Sequence, residues 1–353
     1  MLTNVNLTTQ VLFNRLQTDL ERLQTRFADS VGEVANGRRA NLADLLGGSG
    51  AALFGLKAAV THADGQVDRI GIVETRLAVM QSALSKTRSV TENFDFRRVL
   101  DDATNTAGFG ALVRQAATDS IEQVLSTMNA SVSGRYLSSG LAVDQPPMQQ
   151  TNGMVAAVEG VVAAHVTAAG GQITTTAQVD GLLAEVASMF DDTHANPALH
   201  YSGQIYRGAP DATDDLSFSD GNGRRITYGA KASEGGVRQL LEGLHLFAAV
   251  QKDDGQMSET AYQHFAGAAV GTLDASTAGI VAIEARLGLV QADTTSFREE
   301  QRASLLILQS RISAIQDADP TEAATNLASL ETQLQASFLA TSRILRLSLA
   351  NVL

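Results

Sequence analysis

The stretch from Pro320 to Leu353 reads PTEAATNLASLETQLQASFLATSRILRLSLANVL. Leu327, Leu330, Leu334, Phe338, Thr341, Leu345, Leu349 and Val352 follow one another at steps of 3, 4, 4, 3, 4, 4 and 3. That spacing puts all of them on one face of an α-helix. Three steps sum to 11 residues, or about 3.67 per turn, which predicts a helix that stays nearly straight or coils slightly right-handed. At about 1.5 Å per residue it would be roughly 50 Å long. Asp319 is placed to cap it, Pro320 suits its first turn, and Glu322 sits three residues after the cap.

Beside the main stripe runs a second one, Ala336, Ala340, Ile344 and Leu347. A helix with one partner needs one apolar stripe. Two readings stay open: a further partner covers the second stripe, or the helix lies in a groove of its own domain. The N-terminal stretch has the same period. Leu12, Leu16, Leu20, Leu23, Phe27, Val31 and Val34 step by 4, 4, 3, 4, 4 and 3, and Val5 extends the row through Thr9. Two segments of similar length and period predict that the N- and C-terminal helices pair.

The chain has 353 residues, 44% hydrophobic and 5% aromatic, with no Trp and no Cys. It can bury a large core and suggests two or three domains. Without cysteine there are no disulfides, thiolate nucleophiles or thiolate metal sites. A net charge of −12 argues against a nucleic-acid or anionic-membrane partner. The N-terminal MLTNVNLTTQVLF has neither a basic segment nor an apolar core, so no cleavable secretory signal is expected. The apolar run 154–166 is too short for a membrane span and contains Glu159 and His165.

In chain order, residues 4–36 read as the first helix, closed by Asn36-Gly37-Arg38-Arg39. Leu53 to about Thr91 outlines a second helix, and Phe109 to about Ser133 a third. Gly, Ser and Pro then cluster from Gly134 to Pro147 and mark a boundary. Short strands are predicted at 173–176, 199–206, 216–218 and 225–228, with Asp220 to Gly223 as a hairpin turn between the last two. Ser233 is placed to cap a helix bearing Val237, Leu240, Leu241, Leu244 and Phe247. Helix returns from about Ser258 to Ile315, with a break near Gly279, before the terminal helix. The expected fold is mainly α: long paired terminal helices (residues 1–45 and 320–353), a helical shoulder (46–147 and 252–319) and a small mixed α/β insert at the tip (148–251).

Catalytic signatures are missing from the sequence. His62, His165, His194, His200, His245 and His264 form no HExxH pair or other helix-spaced metal signature. Gly221-Asn222-Gly223 lacks the strand and helix of a dinucleotide fingerprint and reads as a turn. Gly47 to Gly50 lacks the Lys-Ser/Thr of a phosphate loop, and there is no GxSxG. The pairs Asp191-Asp192, Asp214-Asp215 and Asp253-Asp254 read as solvated loop charge. No catalytic, metal or cofactor residue is assigned.

Several stretches together resemble the flagellin superfamily. Leu20-Glu21-Arg22-Leu23-Gln24 through Gly37-Arg38-Arg39 resembles its N-terminal helix and closing signature, although Leu42 to Leu46 replaces the usual Ser-Asp-Asp-Pro. Gly134-Arg135-Tyr136-Leu137 with Ser139-Gly140 resembles its boundary motif, with Ser138 where Phe is usual. Ile226-Thr227-Tyr228-Gly229 resembles the end of its variable domain. The ending from Leu347 to Leu353 is more similar to junction members of the superfamily than to filament flagellins. The resemblance implies a non-enzymatic structural subunit of the bacterial flagellum, an adaptor at the hook–filament junction; the filament subunit itself is the alternative. It implies location outside the cell after export without a cleaved signal. The implied partners are copies of the chain in a ring, a neighbouring hook-associated protein, flagellin and the flagellar export apparatus, with no cofactor, nucleic acid or membrane. The expected assembly residues are Leu12, Leu16, Leu20, Leu23, Phe27, Leu327, Leu330, Leu334, Phe338, Ile344, Leu345, Leu347 and Leu349.

Overall fold

The computed structural model describes residues 3–40, 50–93, 95–100, 108–149, 153–219 and 225–350, and among the described residues there are nine α-helices. They are α1 (Thr3–Asn36), α2 (Gly50–Asn93), α3 (Phe109–Met128), α4 (Met154–Ala168), α5 (Thr176–Phe190), α6 (Tyr201–Gln204), α7 (Gly235–Ala249), α8 (Glu259–Gln316) and α9 (Pro320–Ala350). The chain divides into two compact units, residues 1–65 with 300–353, and residues 66–299.

In the first unit α1 packs along α9. The α1 positions withdrawn from solvent include the row Leu16, Leu20, Leu23, Phe27 and Ser30, besides Asp29, Gly32 and Glu33 near its end; those on α9 run Ala323, Leu327, Leu330, Leu334, Ser337 and Thr341. Both rows alternate steps of four and three, a period of about 3.5 residues. The predicted 11-residue seam is therefore corrected. Two helices that wrap one another keep a heptad line between them, so Ser337 takes the inward place and Phe338 turns outward, 52% exposed.

A short joint closes one end of this pair. Gly37 adopts φ +65°, a conformation that suits glycine, and its N–H donates to Glu33 O at 2.8 Å. The chain reverses, and Arg38 pairs antiparallel with Asp317. Arg39 N donates to Gln316 O at 2.9 Å and Ala318 N to Gly37 O at 3.0 Å. Asp319 caps α9 as expected: its Oδ1 accepts from Thr321 N at 2.8 Å and Glu322 N at 3.2 Å.

The second unit contains one continuous core. Along α2 and α8, Glu74 pairs with Arg298 and Arg88 with Glu284 at 3.5 Å, and Arg97, in the 3₁₀ turn after α2, pairs with Asp274 at 2.6 Å. Partner numbers fall as α2 advances, so the two helices run antiparallel. Helix α7 is buried on nearly every side and packs on α3, α4 and α5. Its Phe247 stacks on Phe96 with ring centroids 5.2 Å apart.

Several local expectations are corrected here. α8 runs unbroken for 58 residues. Gly279 interrupts nothing because the backbone of α7 lies against it: a Cβ at Gly279 would sit 2.8 Å from Gly236 Cα. α8 also contains an 18-residue window of mean hydropathy 1.4, long and apolar enough to cross a membrane by length and composition. Of that window 39% is buried, and Ala266, Ala269, Leu273 and Ile280 of α8 lie in the core. The third helix stops at Met128, short of Ser133, because Ser133 (φ 53°) and Gly134 (φ 74°) form the two-residue turn of a hairpin between β1 (Ser131–Val132) and β2 (Arg135–Tyr136).

In the insert, α4 and α5 are helices that the sequence reading missed. Residues 173–176 are no strand: Ile173 makes one isolated bridge to Met257, and Thr175 caps α5 with a reciprocal bond to Gln178. Residues 199–206 form the end of a 3₁₀ turn and α6, not a strand. The hairpin is present, with β3 (Ser217–Ser219) antiparallel to β4 (Arg225–Thr227). Its turn, Asp220 to Gly223, lies outside the described residues. Glu234, not Ser233, is the N-cap of α7.

Candidate assembly interface

The α1–α9 pair is the candidate site. Leu16, Leu20, Leu23, Phe27, Leu327 and Leu330 are half-buried and Leu334 is buried, all within the intrachain seam. Phe338 stands outside it with Leu339, which is 65% exposed. In the second stripe Ala336 and Ala340 are exposed. Leu12, Ile344, Leu345, Leu347 and Leu349 lie outside the residues whose side chains are described. The seam itself is thin. Two of its six α9 positions are Ser337 and Thr341, and Ser30 faces α9 with its Oγ donating to Ala323 O at 3.4 Å.

The outward faces of this unit are unusually apolar. Val11, Val31 and Val34 on α1, Phe54 on α2, Leu306 and Ile307 on α8, and Phe338 and Leu339 on α9 are all exposed. Exposed large apolar side chains on four helices of one unit make it the candidate for contact with other chains. The sequence reading missed Phe54, Leu306 and Ile307; the run Leu305-Leu306-Ile307-Leu308 was the available signal, since four consecutive apolar residues on a helix cannot all face one partner.

The second unit holds a polar cluster that the sequence did not announce. Arg238 is buried at the start of α7. Its Nη1 donates to Phe190 O at 2.7 Å and Asp192 Oδ2 at 2.9 Å, its Nη2 to Asp211 Oδ2 at 2.5 Å, and its Nε to Ser233 O at 2.6 Å. Lys231 Nζ donates to the carbonyls of Pro210, Asp211 and Thr213. Ser233 Oγ donates to Asp211 Oδ1. These cations spend their donors on the chain's own carbonyls and carboxylates and so tie the 209–215 loop to α7. Asp192 and Asp215 are consequently mostly buried, not solvated as the sequence suggested, whereas Asp214 stays exposed.

His165, His194, His200, His245 and His264 each have a side-chain hydrogen-bond partner. His194 accepts from Asn196 N at 3.0 Å through Nδ1 and lies 3.4 Å from Glu185 Oε1 through Nε2. Among the described residues no three His, Cys, Asp or Glu side chains are grouped to hold a metal ion.

Fold and candidate site together define a long-helix protein whose terminal helices pair and leave an apolar face outward. Residues 270–353 match the family described as the bacterial flagellin C-terminal helical region. That match spans α9 and most of α8, so the chain carries a flagellin C-terminal region there. No curated protein matches the chain. Similar solved structures include one from Vibrio parahaemolyticus described as a flagellar hook-associated protein, at 11% identity and TM-score 0.49, covering 76% of this chain and 97% of that one. Another is Bacillus cereus FlgL, at 11% identity and TM-score 0.42, covering 74% of this chain and 98% of that one.

Proposed function

We propose that the protein is a structural subunit of the bacterial flagellum that polymerises through its terminal helices, as an adaptor at the hook–filament junction. The observation that carries this reading is the flagellin C-terminal region at residues 270–353, coincident with the helices that expose Leu306, Ile307, Phe338 and Leu339. In this reading residues 1–45 and 320–353 form the inner layer, 46–147 and 252–319 the shoulder, and 148–251 the outer insert. Leu12, Ile344, Leu345, Leu347 and Leu349 join Phe338 in contacts between subunits. The seam residues Leu16, Leu20, Leu23, Phe27, Leu327, Leu330 and Leu334 hold each α1–α9 pair in register for those contacts. The work done is mechanical: apolar burial between subunits transmits load, with no chemical step. Copies of the chain form a ring outside the cell, between a hook-associated protein and flagellin, after passage through the flagellar export apparatus.

Immunogold labelling of intact flagella tests the assignment. A single band of label where hook meets filament is the expected result. Label along the whole filament would assign the chain to the filament subunit instead, and no label on flagella would end the flagellar reading.

A further inference from the structure

Lys231 lies where the chain passes from the β3–β4 hairpin to α7, and its side chain is only 7% exposed. Its Nζ donates to Pro210 O at 3.2 Å, Asp211 O at 3.2 Å and Thr213 O at 2.5 Å, and Asp215 Oδ1 lies 3.7 Å away. All four neighbours are acceptors, so the nitrogen meets them as an ammonium with three donors. Asp215 Oδ1 is itself buried without a hydrogen bond, which leaves the ammonium as its counter-charge. The loop that supplies these oxygens has little else to shape it. Between Ala209 and Leu216 no side chain is buried. Thr213 N closes a turn on Pro210 O at 3.0 Å, and Arg238 and Ser233 hold the Asp211 carboxylate. Carbonyl dipoles aimed at one withdrawn point are nevertheless stable only with positive charge there.

The boundary motif is built round the same side chain. Gly140 has φ +62°, and a Cβ there would sit 3.0 Å from Lys231 Cε and 3.2 Å from Ala209 Cβ. The absent side chain is what lets the lysine stem pass. The two residues before Gly140 bond the segments on either side of that stem. Ser139 O accepts from Ala209 N at 2.8 Å, and Ser138 O accepts from Ala232 N at 2.9 Å. Lys231 therefore runs through the point where three separate segments of the chain meet.

We propose that residues 210–215 form a cation site whose permanent occupant is the Lys231 ammonium, and that filling it locks residues 138–140, 209–215 and 231–233 into one rigid joint. The ligand class is a primary ammonium: one small charge whose three N–H groups match three converging carbonyls. The boundary read from the glycines, serines and prolines of 134–147 is on this account a weld between shoulder and insert and not a hinge. The joint lies within the second unit and does not depend on the assembly role.

Hydrogen exchange on the intact protein tests both parts. Lys231→Met keeps an apolar stem and removes the three donors. Exchange of the Ala209, Thr213 and Ala232 amides should then rise about ten-fold relative to those of α3. Lys231→Ala should loosen the same amides and leave a space the size of propylammonium. Added propylammonium chloride should restore most of the lost protection. Tetramethylammonium chloride at the same concentration, which has the charge but no N–H, should not. The Met variant, with the space still filled, should respond to neither salt. A Met variant that exchanges like the wild type would mean that packing of the stem alone shapes the loop, and it decides the matter by itself if the Ala variant does not fold. A folded Ala variant indifferent to propylammonium, or restored equally by tetramethylammonium, would overturn the ammonium site. Loosening confined to Thr213 would overturn the joint.

Discussion

Gly279 and Gly288 lie nine residues apart on the same unbroken helix, and replacing each by alanine should change stability in opposite directions. Interior glycine costs a helix about 1 kcal/mol relative to alanine, so Gly→Ala starts with a gain of that order. At Gly288 nothing lies within 4 Å of the added Cβ, and Gly288→Ala should stabilise the second unit by about 0.5–1 kcal/mol. At Gly279 the Cβ would sit 2.8 Å from Gly236 Cα, and a Cβ at Gly236 would sit 2.7 Å from Gly279 C and Ile280 N. Both obstacles are backbone, so no rotamer change relieves them and α7 must move away from α8. Overpacking costs about 1–3 kcal/mol; with rigid backbone on both sides the upper end applies, and after the helical gain Gly279→Ala should be destabilised by about 2 kcal/mol. In a unit of this size that corresponds to about 4–8 °C in Tm. Thermal unfolding followed by circular dichroism compares the two variants. A Gly279→Ala protein as stable as Gly288→Ala would mean that α7 and α8 are not in backbone contact at this point.

Two ionisable groups on α7, the buried His245 and the partly buried Glu242, set opposing pH dependences. Burial holds His245 down to about 4 against an ordinary 6.5, so its contribution to stability is lost as pH falls from about 6.5 towards 4. Burial, with Asp191 adding to it, pushes Glu242 up to about 7 from 4.5, so its contribution is lost as pH rises from about 4.5 through 7. Over the shared range the two slopes offset. Glu242→Gln should therefore gain on the order of 1–3 kcal/mol over wild type between pH 5 and pH 8 in urea melts, and an equal shift at both pH values would refute the assignment. For the proposed interface, Leu345→Asp combined with Leu349→Asp places two unpaired charges in surfaces meant to be buried, each costing more than the 1.5–3 kcal/mol a buried leucine contributes. The double variant should leave flagellin unattached in the culture medium while its Tm stays within about 2 °C of wild type; attached filaments, or an early melt, would remove the assembly role of those residues.

What could be read from the sequence was whatever carries a long period. α1, α2, α8 and α9 span 31 to 58 residues each, and a repeated apolar pattern over that length has no other stable form. The missed helices α4 and α5 are 15 residues each. Val155-Ala156-Ala157-Val158 and Gly160-Val161-Val162-Ala163-Ala164 are apolar on several faces, as a helix covered by neighbours can be, so their pattern is too diffuse to betray a helix. The strand expected at 199–206 rested on Leu199, Tyr201, Ile205 and Tyr206. There tertiary bonding overrode propensity, with Tyr201 OH reaching Ala232 O at 2.8 Å and Tyr206 OH reaching Ala209 O at 2.9 Å. The polar cluster around Arg238 and Lys231 was invisible because its members come from 190–192, 209–215 and 231–238, which only the fold brings together.

The terminal pair shows why an apolar row in a sequence does not by itself say which partner each residue meets. Eleven-residue spacing in α9 and its counterpart in α1 predicted one face for all the large side chains. The intrachain contact instead selects every 3.5 residues, and the two periods drift apart by Phe338. Up to Leu334 the same leucines satisfy both. Beyond it the heptad line takes Ser337 in place of Phe338 and then Thr341, which both rows share; burial of either contributes little, while Phe338 and Leu339 face outward. A pair built only for its own stability would place Phe338 in the seam, since burying a large apolar side chain contributes about 1.5–3 kcal/mol. The weak seam and the outward aromatic are thus two consequences of one sequence choice: from Ser337 to Thr341, α9 sets small side chains in the seam and turns Phe338 and Leu339 away from it.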